Sequence, residues 1–183
     1  MENNNLIEIY KRLFEYYGPQ NWWPGDSPLE ICLGAILTQN TNWHNVEISI
    51  ENLKEKKVLN IKNLSEINLS ELAQLIKASG YYNSKARTIK NFIVNVRNCS
   101  GGRLETYLKQ PAETLRGNLL AIKGIGPETA DSIILYAAEK PVFVIDAYTR
   151  RFVERHFGFS KKAEYSEIQK FFVNNLPLNT CLL

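Results

Sequence analysis

Leu119-Leu120-Ala121-Ile122-Lys123-Gly124-Ile125-Gly126-Pro127-Glu128-Thr129-Ala130-Asp131-Ser132-Ile133-Ile134 is the stretch that decides how this chain folds. Two helical apolar patterns meet here across a turn too short for anything but a tight αα hairpin. Gly124 and Gly126 permit backbone angles closed to other residues, and they let a phosphate come close to the main-chain N–H groups. Ile125, between them, is placed to point inward as a plug. Pro127 suits the first turn of a helix, where its missing N–H costs nothing. That helix start then offers free donors and a favourable dipole to an anion. Ala130 is small enough for the two helices to pack closely. Gly-x-Gly alone would favour an ordinary αα hairpin with glycines serving as a C-cap. The full pattern of apolar positions, Gly-Ile-Gly, Pro and Ala is more specific and favours a phosphate-gripping turn.

Outward from the hairpin the sequence reads as helix almost throughout. Leu6, Ile9, Tyr10, Leu13, Phe14 and Tyr17 form one apolar stripe, ended by Gly18-Pro19. Ser27-Pro28-Leu29-Glu30 matches a capping box with proline at the first helical position. Further helices are expected over about Trp43 to Lys56, Leu69 to Ala78, a segment capped by Asn83-Ser84 and running to Asn98, Pro111 to Ile122, the hairpin helix to Glu139, and Tyr165 to Asn175. Val142-Phe143-Val144-Ile145 is too isolated to pair into a sheet and is expected as an extended connector. Asp146 follows as the N-cap of a helix through His156. The expected class is all-α.

Composition narrows the function. The 183 residues are 44% hydrophobic, enough for a sizeable core, and the formal charge of +3 is compatible with a nucleic-acid partner. The polar start lacks a secretory signal and no apolar run reaches membrane-spanning length, so an intracellular, nucleoid-associated location is expected. The three cysteines, Cys32, Cys99 and Cys181, are scattered with no CxxC pair, which suggests neither a zinc site nor a disulfide framework. Cys32 is expected in the core. His44 and His156 form no recognisable metal or triad arrangement.

The hairpin is the helix-hairpin-helix DNA-binding motif, whose contacts to phosphates position a protein without reading sequence. Lys123, Gly124, Ile125 and Gly126 are its DNA-binding candidates. With Leu33-Gly34-Ala35-Ile36-Leu37-Thr38-Gln39-Asn40-Thr41, Gly80-Tyr81-Tyr82-Asn83-Ser84-Lys85-Ala86 and Val142-Phe143-Val144-Ile145-Asp146-Ala147-Tyr148-Thr149-Arg150-Arg151, in that order, the chain resembles the endonuclease III-like (HhH-GPD) DNA glycosylases over nearly its whole length. The resemblance implies a two-lobed helical fold. One lobe, residues 20–134, is a helical barrel ending in the hairpin; the other joins residues 1–19 to 135–183. It also implies that Asp146 is catalytic, stabilising oxocarbenium-like charge as the base departs and orienting a water. Bifunctional members carry a lysine at the position of Glu128, which forms a Schiff base and permits strand cleavage. A carboxylate forms no imine, so Glu128 implies a monofunctional enzyme; it also suits the first turn as a dipole-complementing acid.

Trp22-Trp23-Pro24, followed by Leu-Thr-Gln-Asn-Thr and then Trp43, is similar to the 3-methyladenine glycosylases of the endonuclease III type. That similarity puts Trp22 and Trp43 on either face of a flipped base, with Trp23 and Pro24 beside them. Cationic alkylpurines suit electron-rich rings, at about 0.5–2 kcal/mol for a cation–π contact. The same tryptophans could instead plug the groove between the lobes. Gln39 corresponds to the residue that fills the gap left by the flipped nucleotide. Lys85, Lys123, Arg150 and Arg151 are candidate phosphate contacts. The four closely spaced cysteines of cluster-bearing relatives are absent, so no iron–sulfur cluster and no metal ligand set is expected; the resemblance allows a monovalent cation at the hairpin carbonyls. The expected partner is double-stranded DNA containing a damaged base, bound by a monomer. The chain ends soon after Asn175-Leu176-Pro177-Leu178, where relatives continue for a helix or two. Two other readings stay open: a mismatch or other-lesion glycosylase, and a truncated, non-catalytic DNA-binding module.

Overall fold

The computed structural model describes residues 4–20 and 23–176, all of them helix, turn or loop with no strand. The helices are α1 (Asn4–Tyr17), α2 (Pro28–Leu37), α3 (Trp43–Glu55), α4 (Ile61–Glu66), α5 (Leu69–Leu75), α6 (Tyr82–Ser100), α7 (Leu104–Leu108), α8 (Ala112–Leu120), α9 (Pro127–Ser132), α10 (Ala147–Phe157) and α11 (Tyr165–Asn175). A 3-10 turn, Lys77–Ser79, follows α5, and α9 runs on as a π-helical stretch, Ile133–Ala137.

Short polar side chains set the helix starts. Ser27 Oγ accepts from Glu30 N at 3.3 Å, but the capping box is only half formed: the Glu30 side chain turns to Lys54 Nζ, 3.0 Å away. Asn42, Asn60 and Asn68 each accept from the backbone N–H three residues on, at 3.0, 2.8 and 2.7 Å. Asn60 thereby starts α4, a helix too short for apolar periodicity to reveal. At α6 the expectation fails. Asn83 and Ser84 lie inside the helix, whose entry is Tyr81 in a left-handed conformation with φ 46° and no side-chain cap. Gly101 and Gly158 close α6 and α10 in the left-handed conformation that lacks a Cβ penalty.

Two hydrophobic clusters result. The larger gathers Leu33, Ile36 and Leu37 of α2, Val46 and Leu53 of α3, Ile89, Phe92 and Val96 of α6, and Leu115, Ile125 and Ile133 from the hairpin region. Helix α2 buries Leu29, Cys32, Leu33, Gly34, Ala35, Ile36 and Leu37, so it is apolar nearly all round and runs through the middle. Cys32 is fully buried, as expected, and burial pushes its thiol pKa up. The smaller cluster joins Leu6 of α1 to Ile145, Val153, Ala163, Ile168 and Phe172, with Phe143 stacked on Phe172 at 3.9 Å between ring centroids. No described helix is long and apolar enough to cross a membrane.

One charge lies inside the larger cluster. Lys85 is 3% exposed, and its Nζ donates to Leu37 O at 2.8 Å and Ser79 O at 2.5 Å. It caps the end of α2 and cannot face a phosphate, which corrects its candidacy as a DNA contact. Burial lowers its pKa to about 8. Between that value and the unfolded lysine value of about 10.4, the unfolded chain binds more protons than the folded one, so stability rises with pH across the window. Denaturant midpoints from pH 7.5 to 10.5 should show this rise relative to Lys85→Met, which lacks the titrating group; parallel curves for the two proteins would refute it.

Candidate active site

The candidate site residues are carried by the hairpin, the Trp-bearing loop before α2, the loop after α2, and the connector into α10. Backbone geometry brings the hairpin close to α6. Gly124 has φ +101°, and a Cβ there would stand 2.0 Å from Thr88 Oγ1. Both the dihedral and the close approach therefore require glycine. Ile125 is 6% exposed and points into the larger core, while Lys123, Gly124 and Gly126 stay at the surface. Among the described residues no acceptor faces the Gly124 and Gly126 N–H groups. Gly126 is the extended N-cap of α9, with Pro127 at its first turn.

Gln39 is half-buried, and its Nε2 donates to Gly124 O at 3.1 Å and Thr129 Oγ1 at 2.9 Å. The loop after α2, where Asn40 takes a left-handed φ of 52°, is thus tied to the hairpin.

Asp146 caps α10: its Oδ1 accepts from Thr149 N at 2.7 Å. Its other oxygen meets no protein donor among the described residues. Glu128, at the start of α9, is exposed on one side, yet its pKa is raised, first by partial desolvation and then by the charge of Asp146, with Arg150 opposing. The hairpin helix therefore presents a carboxylate, not an amine, toward Asp146. Arg150 Nη1 donates to Ala163 O at 2.8 Å, and Arg151 lies over the Tyr148 ring at 4.5 Å.

Trp23 and Trp43 meet edge to face at 5.5 Å, both against Gly34 of α2, where a Cβ would come within 3.4 Å of each. Trp23 takes a left-handed φ of 84°, and its loop is held by Lys54 Nζ, 2.8 Å from Asp26 and 3.0 Å from Glu30. The indole N–H groups of Trp23 and Trp43 are buried without a partner. Pro24 is exposed beside them, and Trp22 lies outside the described residues. The sequence reading missed a third ring: Tyr136 stacks on Trp23 at 4.9 Å. Its pKa is raised by burial and then by the charge of Asp146. Tyr136 sits in the π-helical stretch, which shifts side-chain register away from the 3.6-residue period. Neither separation leaves the ~7 Å that a base needs between two stacking faces, so no base fits between Trp23 and either neighbouring ring as they stand.

The family described as HhH-GPD superfamily base excision DNA repair protein matches residues 33–177. The chain belongs to this family. It is 45% identical over 177 residues to a candidate DNA repair glycosylase of Methanocaldococcus jannaschii, MJ1434, covering 94% of this chain and 79% of that one. Endonuclease III of Thermotoga maritima is 27% identical, covering 93% and 72%. Among solved structures, Helicobacter pylori 3-methyladenine DNA glycosylase bound to 1,N6-ethenoadenine superimposes with a TM-score of 0.81 at 29% identity, covering 100% of this chain and 92% of the other. A trapped endonuclease III–DNA covalent intermediate superimposes with a TM-score of 0.84 at 18% identity, a likeness of fold. The protein is a DNA repair glycosylase of the HhH-GPD superfamily with the all-helical fold expected from its sequence.

Replacing Gly124 with alanine should destabilise the protein by about 2 kcal/mol or more, because it adds both a strained φ and a clash. Urea unfolding of Gly124→Ala and of Gly124→Ala/Thr88→Ala measures the two parts. Partial recovery in the double variant is expected, since trimming Thr88 relieves the clash and leaves the dihedral strain; full recovery or none would contradict this account.

Proposed function

We propose that this glycosylase is monofunctional and hydrolyses the N-glycosidic bond of alkylated purines such as 3-methyladenine in double-stranded DNA. The observation that carries the reading is Glu128 standing at the first turn of the hairpin helix within the field of Asp146, where an attacking amine would be needed for strand cleavage. The hairpin grips the DNA backbone through Lys123 and the N–H groups of Gly124 and Gly126, while Ile125, its N–H held by Ile122 O, anchors the turn in the core. Gln39 leaves the Gly124 carbonyl to fill the space of the flipped nucleotide. Asp146, fixed by Thr149 N, stabilises positive charge on the sugar with its free oxygen and orients the attacking water. No metal or iron–sulfur cluster takes part; a monovalent cation at the hairpin carbonyls would act on DNA binding only.

The aromatic cluster supports an electron-poor base as substrate. Trp43, Trp23 and Pro24 form the pocket wall, with Tyr136 stacked on Trp23 within the field of Asp146, and Trp22 is the further ring that the family resemblance implies against the base. A cationic alkylpurine is attracted by such faces and leaves readily, so no strong acid at the base is required. The likeness to the H. pylori 3-methyladenine enzyme, bound to another modified adenine, agrees with this choice. The protein works as a monomer on duplex DNA inside the cell.

Methylated duplex DNA tests the reading, with free base and strand breaks assayed separately. Release of 3-methyladenine with an intact, alkali-labile strand is expected, and borohydride should trap no covalent complex. Asp146→Asn should lower base release roughly 100–1,000-fold while DNA affinity is kept. Strand breaks without alkali would overturn the monofunctional assignment, and DNA binding without any base release would point to a non-catalytic module.

A further inference from the structure

We infer that Asp131, Tyr165 and Gln169 form a positioning device that sets the Asp146 carboxylate relative to the DNA-gripping hairpin, an inference that rests on the role proposed for Asp146. Asp131 is fully buried, on α9 one turn past Glu128. Four donors converge on it. Arg116 of α8 gives Nε to Oδ1 at 2.7 Å and Nη2 to Oδ2 at 3.2 Å. From α11, the Tyr165 hydroxyl and Gln169 Nε2 each donate to Oδ2 at 2.8 Å.

The two α11 side chains do not stop at the carboxylate. Gln169 Nε2 also reaches Phe143 O at 2.8 Å, and the Tyr165 oxygen accepts from Ile145 N at 3.2 Å. Both ends fall on the main chain of the connector, and Ile145 immediately precedes Asp146. On its other side Asp146 is held by Thr149 N. A segment with no helical or sheet partners of its own thus takes its register from one carboxylate on the hairpin helix. A device serving only to join the lobes would tie α9 to α11 and have no need of connector peptide groups. Here, two hydrogen bonds in series link Asp131 to the peptide before Asp146, while Glu128 rides on the same helix as Asp131.

Tyr165→Phe keeps the ring and removes both bonds of the hydroxyl. Its effect is read in three ways on the full chain. The Thr149 amide, which reports the place of the Asp146 carboxylate, should shift in the ¹H–¹⁵N spectrum, and Ile145 amide exchange should quicken roughly tenfold or more. Single-turnover base release at saturating enzyme should fall by about 10–100-fold, as for a misplacement well under an ångström to about one ångström. Affinity for duplex DNA carrying an uncleavable abasic analogue should stay within about threefold, since the phosphate-gripping hairpin is untouched. In an Asp146→Asn background the tyrosine change should add no further loss of rate. Gln169→Leu, which frees Phe143 O, should act in the same direction and serves where Tyr165→Phe folds poorly.

An unmoved Thr149 amide in both variants would overturn the inference, whatever the activity. So would rate and DNA affinity falling together, with an additive loss in the Asp146→Asn background, because that is the mark of general destabilisation. Should the parent protein release no base from methylated DNA, the proposed function fails; the Thr149 and Ile145 amides then still decide whether Asp131 and its partners place Asp146.

Discussion

The carboxylate of Asp131 is removed wholly from water, and the rest of the molecule is arranged around satisfying it. An ionised group in such a place is tolerated only when donors surround it. Arg116, Tyr165 and Gln169 supply four between them, from two helices that flank α9. Apolar contact has little directional preference, so the larger and smaller clusters alone would fix distance better than register. A buried carboxylate is directional: its donors must arrive from fixed directions or it is left unpaired. The network therefore contributes alignment of α8, α9 and α11 more than net stability, which buried ion pairs seldom supply. The raised pKa of Tyr165, caused by burial and by the neighbouring charge of Asp131, keeps its hydroxyl a donor.

A second constraint acts on the hairpin turn. Gly124 touches Thr88 so closely that α6 sets where the hairpin turn lies. Lys85, one turn earlier on α6, caps the end of α2 through Leu37 O, and two residues on from Leu37 the side chain of Gln39 reaches back to Gly124 O. Helix α6, the end of α2 and the hairpin are thus joined by two side-chain hydrogen bonds and by the close approach of Gly124 to Thr88. Trp23 and Trp43 are seated on Gly34 of α2, and Tyr136 stacks on Trp23. The short ring separations mean that these rings would have to adjust for a base to stack among them.

Most of this was legible in the sequence where a residue's local role and its distant role coincide. Gly124, Ile125, Gly126 and Pro127 form a hairpin by their own backbone preferences, so the motif and the fold are read from the same letters. Asp146 was visible as an N-cap, and the N-cap geometry is what holds it in place. Tyr136 was hidden, because the π-helical stretch rotates it off the face that a 3.6-residue period assigns. Helix α4 was hidden by its six-residue length. Lys85 read as a surface cation because lysine is rarely buried; its carbonyl partners, Leu37 and Ser79, come from distant turns that no local pattern reveals. The polar partners of Asp131 lie 15 to 38 residues away, beyond any local pattern. An aspartate set within Ala130, Ser132 and Ile133 on a packing face was the available hint, since an acid there demands a donor from elsewhere in the fold.

The two acids at the site stand in different surroundings, and that difference bears on how they would divide the proposed reaction. Asp146 is bound to Thr149 N at the positive end of α10, so its charge is fixed in place. A fixed anion suits stabilising the cationic sugar, where rigidity prevents reorganisation at the moment of bond breaking. Glu128 faces the field of Asp146 with partial desolvation, both of which favour its protonated form. A carboxyl so placed accepts a proton more readily than a fully solvated one. An amine at the same position would instead be drawn toward Asp146 and the sugar as a nucleophile. Substituting a carboxylate for it changes the charge, the proton inventory and the available covalent chemistry together, while the hairpin backbone that carries it needs no alteration.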